Sequence, residues 1–409
     1  MKRREFVLTI GSLPLLTPWL AGAGPHKRLD VPPPAGLVDS PQDRLAYAKK
    51  LLKKLVTDIG PHPVGTPACA RVAELIKKEM ELSLPVVEFD RFTFERWELV
   101  GQPEFLLGGR RLETYPAFGC EGTPPEGLGG VLRKDRRGYA LVDPASGATL
   151  ATLSTSQYGR AITHHQKRTT PPSPPDFGVG KQDISFIEKA VADKTPARLK
   201  AVVKFTPDAQ GGNIVGKLPG KRPDEMLFLA HYDTVYCAPG GNDDMASVIV
   251  MIMLAHAAAG RNAEHTLTFV ATDAEEFGGL GAKHYGERRA AAGTMKNIRY
   301  VANFDSLTYG PNLWISSKDA DVKEMIAAIH RDLDIKATPK FDDGDGFVMD
   351  SEPFRASGAK AFHANSRGYD DMTLPVFHRP DDDAAHVPLD CVEISFRVFD
   401  EFIKRADKL

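Results

Sequence analysis

Residues 226–260 have the sequence MLFLAHYDTVYCAPGGNDDMASVIVMIMLAHAAAG, in which a polar turn separates two apolar runs. The first run ends in His231 and Asp233, and the turn holds Asp243 and Asp244. A short apolar strand followed by an apolar helix is typical of a sheet that is buried on both faces. The second run is too short to cross a bilayer, which needs about 20 residues. It contains His256, for which we expect a hydrogen-bonded core position.

The same alternation continues to the end of the chain. Helices are expected from about Met245 to Ala259, from about Gly278, near Asp321 to Leu333 and from about Leu389. The strand-like segments between them are LTFVATD, YVANFD, LWISS and KAFHA. This pattern predicts an α/β fold with a mixed, largely parallel central sheet flanked by helices. Residues 211–409 would form its catalytic part.

Residues 37–100 are predicted to belong to the same domain. Ser40 is a suitable N-cap and Pro41 a suitable first residue for an amphipathic helix that ends near Gly60. A second helix and the strand-like segment VVEFDRFTF follow this helix.

Residues 101–210 differ in amino-acid composition and pattern from the segments on either side. They contain many Gly and Pro residues, short strand-like runs such as YALVD, and one helical pattern near PDFGVGKQDISFIEKAV. We interpret this segment as an inserted, mostly β module of the protease-associated type. A surface insertion without a fold of its own is the alternative.

The N-terminal residues 1–23 resemble an export signal. Arg3 and Arg4 precede a modest apolar stretch, and Ala21-Gly22-Ala23 is a suitable cleavage site. The paired arginines favour the twin-arginine route, so we expect a periplasmic or secreted protein with no stable membrane span after signal removal. The chain has four cysteines, and both disulfides and free thiols are compatible with export.

Bulk composition excludes few functions. The chain has 409 residues and a net charge of -2, which does not favour nucleic acid as a partner. The sequence makes no prediction about the oligomeric state.

Potential metal ligands follow several of the predicted strands. Ligands in open α/β sheets gather beyond the carboxyl ends of the strands, so these side chains are expected to lie close together. A pair of divalent ions about 3.5–4 Å apart needs a shared carboxylate and further ligands on each side. Five residues supply that number in types that suit Zn²⁺, namely His231, Asp243, Glu276, Asp305 and His378.

Two acidic residues are predicted to assist this site. Asp233 lies two positions after His231, so on an extended chain its carboxylate can accept the imidazole N–H. Glu275 and Glu276 are consecutive, so one can bind a metal while the other serves as a general base.

Six motifs in this order resemble the co-catalytic di-zinc exopeptidase family. They are HYDTV, GGNDDMAS, EEFGGLGA, NFDSL, DSEPF and FHRPDD. The family includes secreted bacterial leucyl aminopeptidases, aminopeptidase Y, glutamate carboxypeptidase and glutaminyl cyclase.

The resemblance implies a fold of the zinc-peptidase, phosphorylase/hydrolase-like type and a role for each residue. Asp243 would bridge two zinc ions and would be joined to Asp244 by a cis peptide. His231 and Asp305 would complete one ion, Glu276 and His378 the other, and Glu275 would be the base.

The sequence departs from the family pattern at three places, one of which is Met245-Ala246-Ser247 in place of the usual Ala-Ser-Gly. Phe347 stands where some aminopeptidases have an oxyanion-binding tyrosine, so Tyr369 is an alternative donor. Gly279 stands where leucine is usual. These differences concern the substrate preference and the reaction rate, and not metal binding.

The expected function is an exported zinc-dependent exopeptidase of the aminopeptidase type, which cleaves peptide or aminoacyl substrates with a metal-bridged hydroxide and a Glu general base. Catalysis would involve Glu275 and Asp233. A single-zinc glutaminyl cyclase-like acyltransferase and a non-catalytic receptor-like module on the same fold are the alternatives.

Overall fold

The computed structural model describes residues 35–135, 138–344, 350–355, 357–367 and 376–409. The predicted export signal, Phe347 and Tyr369 lie outside these ranges.

The described residues form eight α-helices and fourteen strands. The helices are α1 Pro41–Leu52, α2 Pro67–Met80, α3 Ile184–Ala192, α4 Ala246–Ala258, α5 Leu280–Ala291, α6 Ala320–Asp332, α7 Glu352–Arg355 and α8 Leu389–Ala406. The strands are β1 Val86–Leu107, β2 Arg110–Leu112, β3 Thr114–Pro116, β4 Leu128–Asp135, β5 Gly138–Val142, β6 Thr149–Thr155, β7 Asp176–Val179, β8 Pro196–Leu218, β9 Arg222–His231, β10 His265–Thr272, β11 Ile298–Phe304, β12 Asn312–Ser317, β13 Lys340–Asp342 and β14 Lys360–Arg367.

Four parallel strands lie at the centre of the sheet, in the order β14-β11-β9-β10. The antiparallel strands β12 and β8 flank them. The predicted α/β class with a mixed central sheet is therefore confirmed. All four parallel strands end at the same edge, where ligands gather in folds of this class.

Strand β9 shows why the run from Met226 to Ala230 is apolar at every position. Side chains alternate between the two faces of a strand. Phe228 and Ala230 pack in one core with helices α1, α2, α4 and α8, whereas Leu227 and Leu229 pack on the other face with Tyr285 and Phe354. Both faces are buried, as the uninterrupted apolar run indicates.

Helix α1 begins as the sequence predicts. The Ser40 hydroxyl accepts a hydrogen bond from the Asp43 amide, and the Asp43 carboxylate accepts one from the Ser40 amide. A π-helical turn, Lys53–Thr57, extends the helix, and Gly60 follows with φ of 75°. Left-handed backbone of this kind is typical of a glycine just beyond a helix end.

Helix α4 is buried along almost its whole length. No helix among the described residues combines the length and the apolar character that a bilayer span requires. The four cysteines are free thiols.

A long antiparallel ribbon connects the central sheet to the inserted segment. Strands β1 and β8 pair from Val86 opposite Lys217 to Leu107 opposite Ala197. At the far end of the ribbon, strands β4 to β7 and helix α3 pack with β1 and β8 around a separate core, which includes Leu141, Leu153 and Phe177. The insert therefore continues the central sheet through backbone hydrogen bonds, and its assignment to the protease-associated type stays a prediction.

His256 occupies the hydrogen-bonded core position that was expected. Its Nε2 lies 2.9 Å from the Tyr47 hydroxyl, and its Nδ1 lies 2.8 Å from Ser83 Oγ. The Tyr47 hydroxyl also donates to Glu79 Oε2 at 2.9 Å. Burial lowers the pKa of His256 to about 4, so the ring is neutral near pH 7. This network joins α1, α2 and α4.

Tyr47→Phe is expected to lower the free energy of unfolding by about 1–3 kcal/mol, because buried polar atoms of His256 and Glu79 lose a partner. Chemical denaturation measures the change. Tyr300→Phe is the matched control, since Tyr300 is equally buried and its hydroxyl makes no hydrogen bond within the described residues. Equal stability of the two variants would contradict the prediction.

Candidate metal centre

The predicted ligands lie at the carboxyl edge of the central sheet. His231 is the last residue of β9 and lies opposite Thr272, the last residue of β10. Residues 273–276 follow β10, and Asp305 follows β11. Because neighbouring parallel strands end level with one another, three ligand-bearing segments meet at one place.

Direct contacts join four of the predicted ligands. Asp243 Oδ1 lies 3.2 Å from His231 Nε2, and Asp243 Oδ2 lies 3.4 Å from His378 Nε2. His378 Nε2 also lies 3.1 Å from Glu276 Oε2. Ligand atoms of His231, Asp243 and Glu276 all lie within 4.8 Å of one another. Asp243 thus stands between two imidazoles, with one oxygen towards each.

The environment of this cluster fits a metal site. His231, Asp243 and Glu276 have exposed fractions of 2%, 5% and 7%. Glu276 Oε1 is buried and has no hydrogen-bond partner among the described residues. Buried carboxylates without enough donors are unfavourable unless a cation compensates them. Imidazole nitrogens together with carboxylate oxygens are the donor types that suit Zn²⁺.

Asp305 lies beside the cluster and takes no part in the contacts above. Its Oδ2 lies 4.0 Å from Nε2 of His363. Burial raises the pKa of Asp244 well above its usual range, and the nearby Asp305 carboxylate adds to this effect. The Asp305 carboxylate therefore acts electrostatically on Asp244, next to Asp243. Its role as a metal ligand stays a prediction.

The loop that carries Asp243 is held by two other carboxylates. Asp382 accepts hydrogen bonds from the amides of Asn242 and Asp243, at 2.8 and 3.0 Å. Asp244 accepts from the amides of His231 and Ser306, at 3.2 and 2.9 Å. These bonds fix the loop relative to the ends of β9 and β11. The peptide bond between Asp243 and Asp244 is cis, as the resemblance implied.

Asp382 itself is fully buried, and burial raises its pKa to about 7. Its carboxylate therefore lies inside the protein, against the loop that carries Asp243.

Asp233 contacts His231 in a different way from the one predicted. His231 Nδ1 lies 3.0 Å from the main-chain carbonyl of Asp233 and 3.7 Å from its carboxylate Oδ1. The carbonyl is therefore the closer acceptor for the ring N–H. The carboxylate Oδ1 accepts a hydrogen bond from the Glu275 amide at 2.9 Å. Asp233 thus contacts both the predicted ligand His231 and the main chain of Glu275, the candidate base.

The main chain of Glu275 is fixed on both sides. Its carbonyl accepts hydrogen bonds from the amides of Gly278 and Gly279, both at 2.9 Å. Ala274, just before it, has φ of 61°, a left-handed conformation that is costly for a residue with a Cβ atom. Burial raises the pKa of Glu275 well above its usual range, and the Asp305 and Asp350 carboxylates add to this effect.

Two neighbours of the cluster were not found from the sequence. Asp350 is buried and accepts a hydrogen bond from the Thr272 hydroxyl, and burial raises its pKa to about 7. It falls within a quoted motif, but it follows no predicted strand. The main-chain carbonyl of Thr163 lies 3.0 Å from His378 Nδ1. This contact uses a main-chain carbonyl that lies more than two hundred positions away in the sequence. The type of side chain at position 163 therefore does not indicate it.

The sequence matches a known family in its C-terminal half. Residues 213–403 match peptidase family M28. Aminopeptidase YwaD of Bacillus subtilis (strain 168) is 25% identical over 377 residues, which cover 83% of this chain and 80% of that protein.

Solved structures share the fold. A zinc aminopeptidase from Bacillus subtilis, BSAP, superposes with a TM-score of 0.69 at 21% identity, covering 88% of this chain and 95% of that one. The Peptidase M28 precursor from Shewanella amazonensis SB2B superposes with a TM-score of 0.72 at 17% identity, covering 89% and 96%. All of the predicted metal ligands lie within the residues that match the family.

Proposed function

We propose, from the match of residues 213–403 to peptidase family M28, that the protein is an exported aminopeptidase that holds two zinc ions. The protein is a metallo-exopeptidase, a hydrolase of peptide bonds. The observation that supports two ions is the position of Asp243, whose two oxygens face different imidazoles. A carboxylate in that position can be shared between two cations.

His231 and Asp305 would hold one zinc ion together with Asp243, and Glu276 and His378 would hold the other. Bound zinc supplies Lewis acidity, which polarises a carbonyl and lowers the pKa of water towards neutrality. The unpaired Glu276 Oε1 leaves a carboxylate oxygen available for such a ligand role.

Glu275 would take a proton from the attacking water and return it to the leaving amine. A general base needs a fixed position and a proton affinity suited to the reaction. The hydrogen bonds to Asp233, Gly278 and Gly279 hold its main chain, and its burial favours the protonated form that the second transfer requires. Asp233 would act through its neighbours, by positioning His231 and Glu275.

The preference for a free amino terminus rests on the relatives. YwaD and BSAP are both named aminopeptidases, and each aligns with more than four fifths of this chain. Export rests on Arg3, Arg4 and the Ala21-Gly22-Ala23 site. A periplasmic or secreted location follows from this proposal.

Metal analysis combined with a substrate panel tests the proposed function. We expect two zinc ions per chain, release of arylamine from aminoacyl anilides with a free amino group, and no release from their N-acetylated forms. A chelator should abolish turnover, and added zinc should restore it. One zinc ion per chain with cyclisation of N-terminal glutamine would favour the acyltransferase. Retained zinc without any turnover would favour a receptor-like module.

A further inference from the structure

A segment of the insert reaches the metal centre. Residues 158–165, between β6 and β7, are named the bridging segment here. They contact two loops of the catalytic part: residues 376–386, which carry His378, and residues 275–279, which carry Glu275 and Glu276.

The strongest contact is with the His378 imidazole. The Thr163 carbonyl lies 3.0 Å from His378 Nδ1, and Thr163 is fully buried. The Thr163 hydroxyl donates to the Pro116 carbonyl at 2.9 Å, which ties this point of the segment to the rest of the insert. An N–H on Nδ1 that donates to this carbonyl leaves the Nε2 lone pair directed towards Asp243 and Glu276.

Two further contacts hold the loop around His378. Arg160 Nη1 lies 3.0 Å from Asp381 Oδ2, and the same guanidinium pairs with Glu113 within the insert. The Tyr158 ring packs edge-on against Phe377, with ring centres 5.8 Å apart, and Phe377 in turn stacks on the His378 ring. The segment therefore contacts the residues on both sides of the ligand as well as the ligand itself.

The other loop meets His165. The His165 ring packs against Phe277 with ring centres 5.5 Å apart. A Cβ atom on Gly278 would lie only 3.0 Å from His165 Cε1, so the loop after the two glutamates approaches the segment closely. The loops that carry Glu276 and His378, the two ligands of the second predicted zinc position, are thus both in contact with one piece of the insert.

His378 needs support from outside its own loop. It lies in turn structure rather than in a helix or strand, and its φ is 52°, a left-handed conformation that is unfavourable for a residue with a Cβ atom. Such a conformation persists only where surrounding contacts determine it. The bridging segment supplies these contacts on the side away from Asp243.

We propose that the bridging segment is a positioning element of the metal centre, in which the Thr163 carbonyl orients His378 and Arg160 holds its loop. The proposal rests on the proposed function, since it assumes that His378 binds zinc. On this proposal, the insert helps to form the second zinc position by orienting its ligand His378. Partners that orient a ligating imidazole typically change metal affinity about 10–100-fold.

A matched pair of double variants tests the proposal. Arg160→Ala with Thr163→Val removes the ion pair to Asp381 and the hydroxyl anchor of the segment. The control is Arg168→Ala with Thr114→Val, because Arg168 pairs with Glu95 and Glu121, and Thr114 donates to the Gly178 carbonyl. Both control residues belong to the insert, and none of these partners lies in a ligand-bearing loop.

Stepwise zinc binding is measured by competition with a chelator, and folding is followed by thermal melting. We expect one of the two zinc affinities to fall at least about tenfold in the test variant, with both affinities unchanged in the control. The conservative pair Arg160→Lys with Thr163→Ser should restore most of the loss. Equal zinc affinities in the test and control variants, or an equal loss in both, would overturn the proposal. An unmodified protein that binds no zinc would instead overturn the proposed function.

Discussion

Replacement of Glu275 by glutamine is expected to lower kcat by about 10²–10⁴-fold, the range that a general acid–base group contributes. Glutamine has the same shape, and its main chain can keep the hydrogen bonds to Asp233, Gly278 and Gly279. Its carboxamide cannot take a proton from water at neutral pH. Steady-state hydrolysis of an aminoacyl anilide measures the effect, and the zinc content should equal that of the unmodified protein.

Glu287→Gln provides the matched control for this variant. Glu287 lies on α5, the helix that follows the Glu275 loop, and its side chain is exposed. It should keep full turnover. An undiminished kcat in Glu275→Gln would contradict the role of Glu275 as general base. Loss of zinc together with turnover would indicate that Glu275 is a metal ligand rather than the base.

Asp243→Asn is expected to have a still broader effect, because it removes the one carboxylate that faces both His231 and His378. The amide nitrogen of asparagine cannot bind a cation, so one of the two positions loses its shared ligand. Zinc affinity should fall by more than the roughly 10–100-fold that partners of ligands contribute, and turnover should fall with it. Equilibrium dialysis against buffered zinc measures the affinity.

Thermal melting adds a second measure of the same change. A ligand that binds only the folded chain stabilises it by about 2.7 kcal/mol at a hundred times its Kd. Added zinc should therefore raise Tm for the unmodified protein much more than for Asp243→Asn. Asp334→Asn serves as the control, since Asp334 is exposed and its ion pair within the described residues is with Lys336. An unchanged zinc response in Asp243→Asn would contradict the shared-ligand role.

The central fold was predictable because its signals are local. Apolar runs of strand and helix length alternate from β9 onwards, and Ser40 with Pro41 indicates the start of α1. Helix α4 and the closing helix α8 begin within a residue of their predicted positions. Each of these predictions depends on neighbours in the chain, which the sequence contains directly.

The proximity of four candidate ligands was predictable from their residue types, whereas the hydrogen-bond partners of these ligands were less so. Acidic and imidazole side chains at strand ends can be recognised as candidate ligands from residue type alone, because such groups are rare at the end of an apolar run. The closer acceptor for His231 is a main-chain carbonyl of Asp233, and the acceptor for His378 is the carbonyl of Thr163. Every residue has such a carbonyl, so only the tertiary structure identifies which ones are used.

The ribbon of β1 and β8 has a consequence for the evolution of the molecule. The two strands leave the central sheet and return to it side by side, in a register that runs without a break from Val86 opposite Lys217 to Phe94 opposite Ala209. Sequences of different length and content can be exchanged beyond this point while the strands below it stay paired. A related chain that lacks the insert could therefore close the ribbon with a short hairpin, but it would need another acceptor for its last histidine.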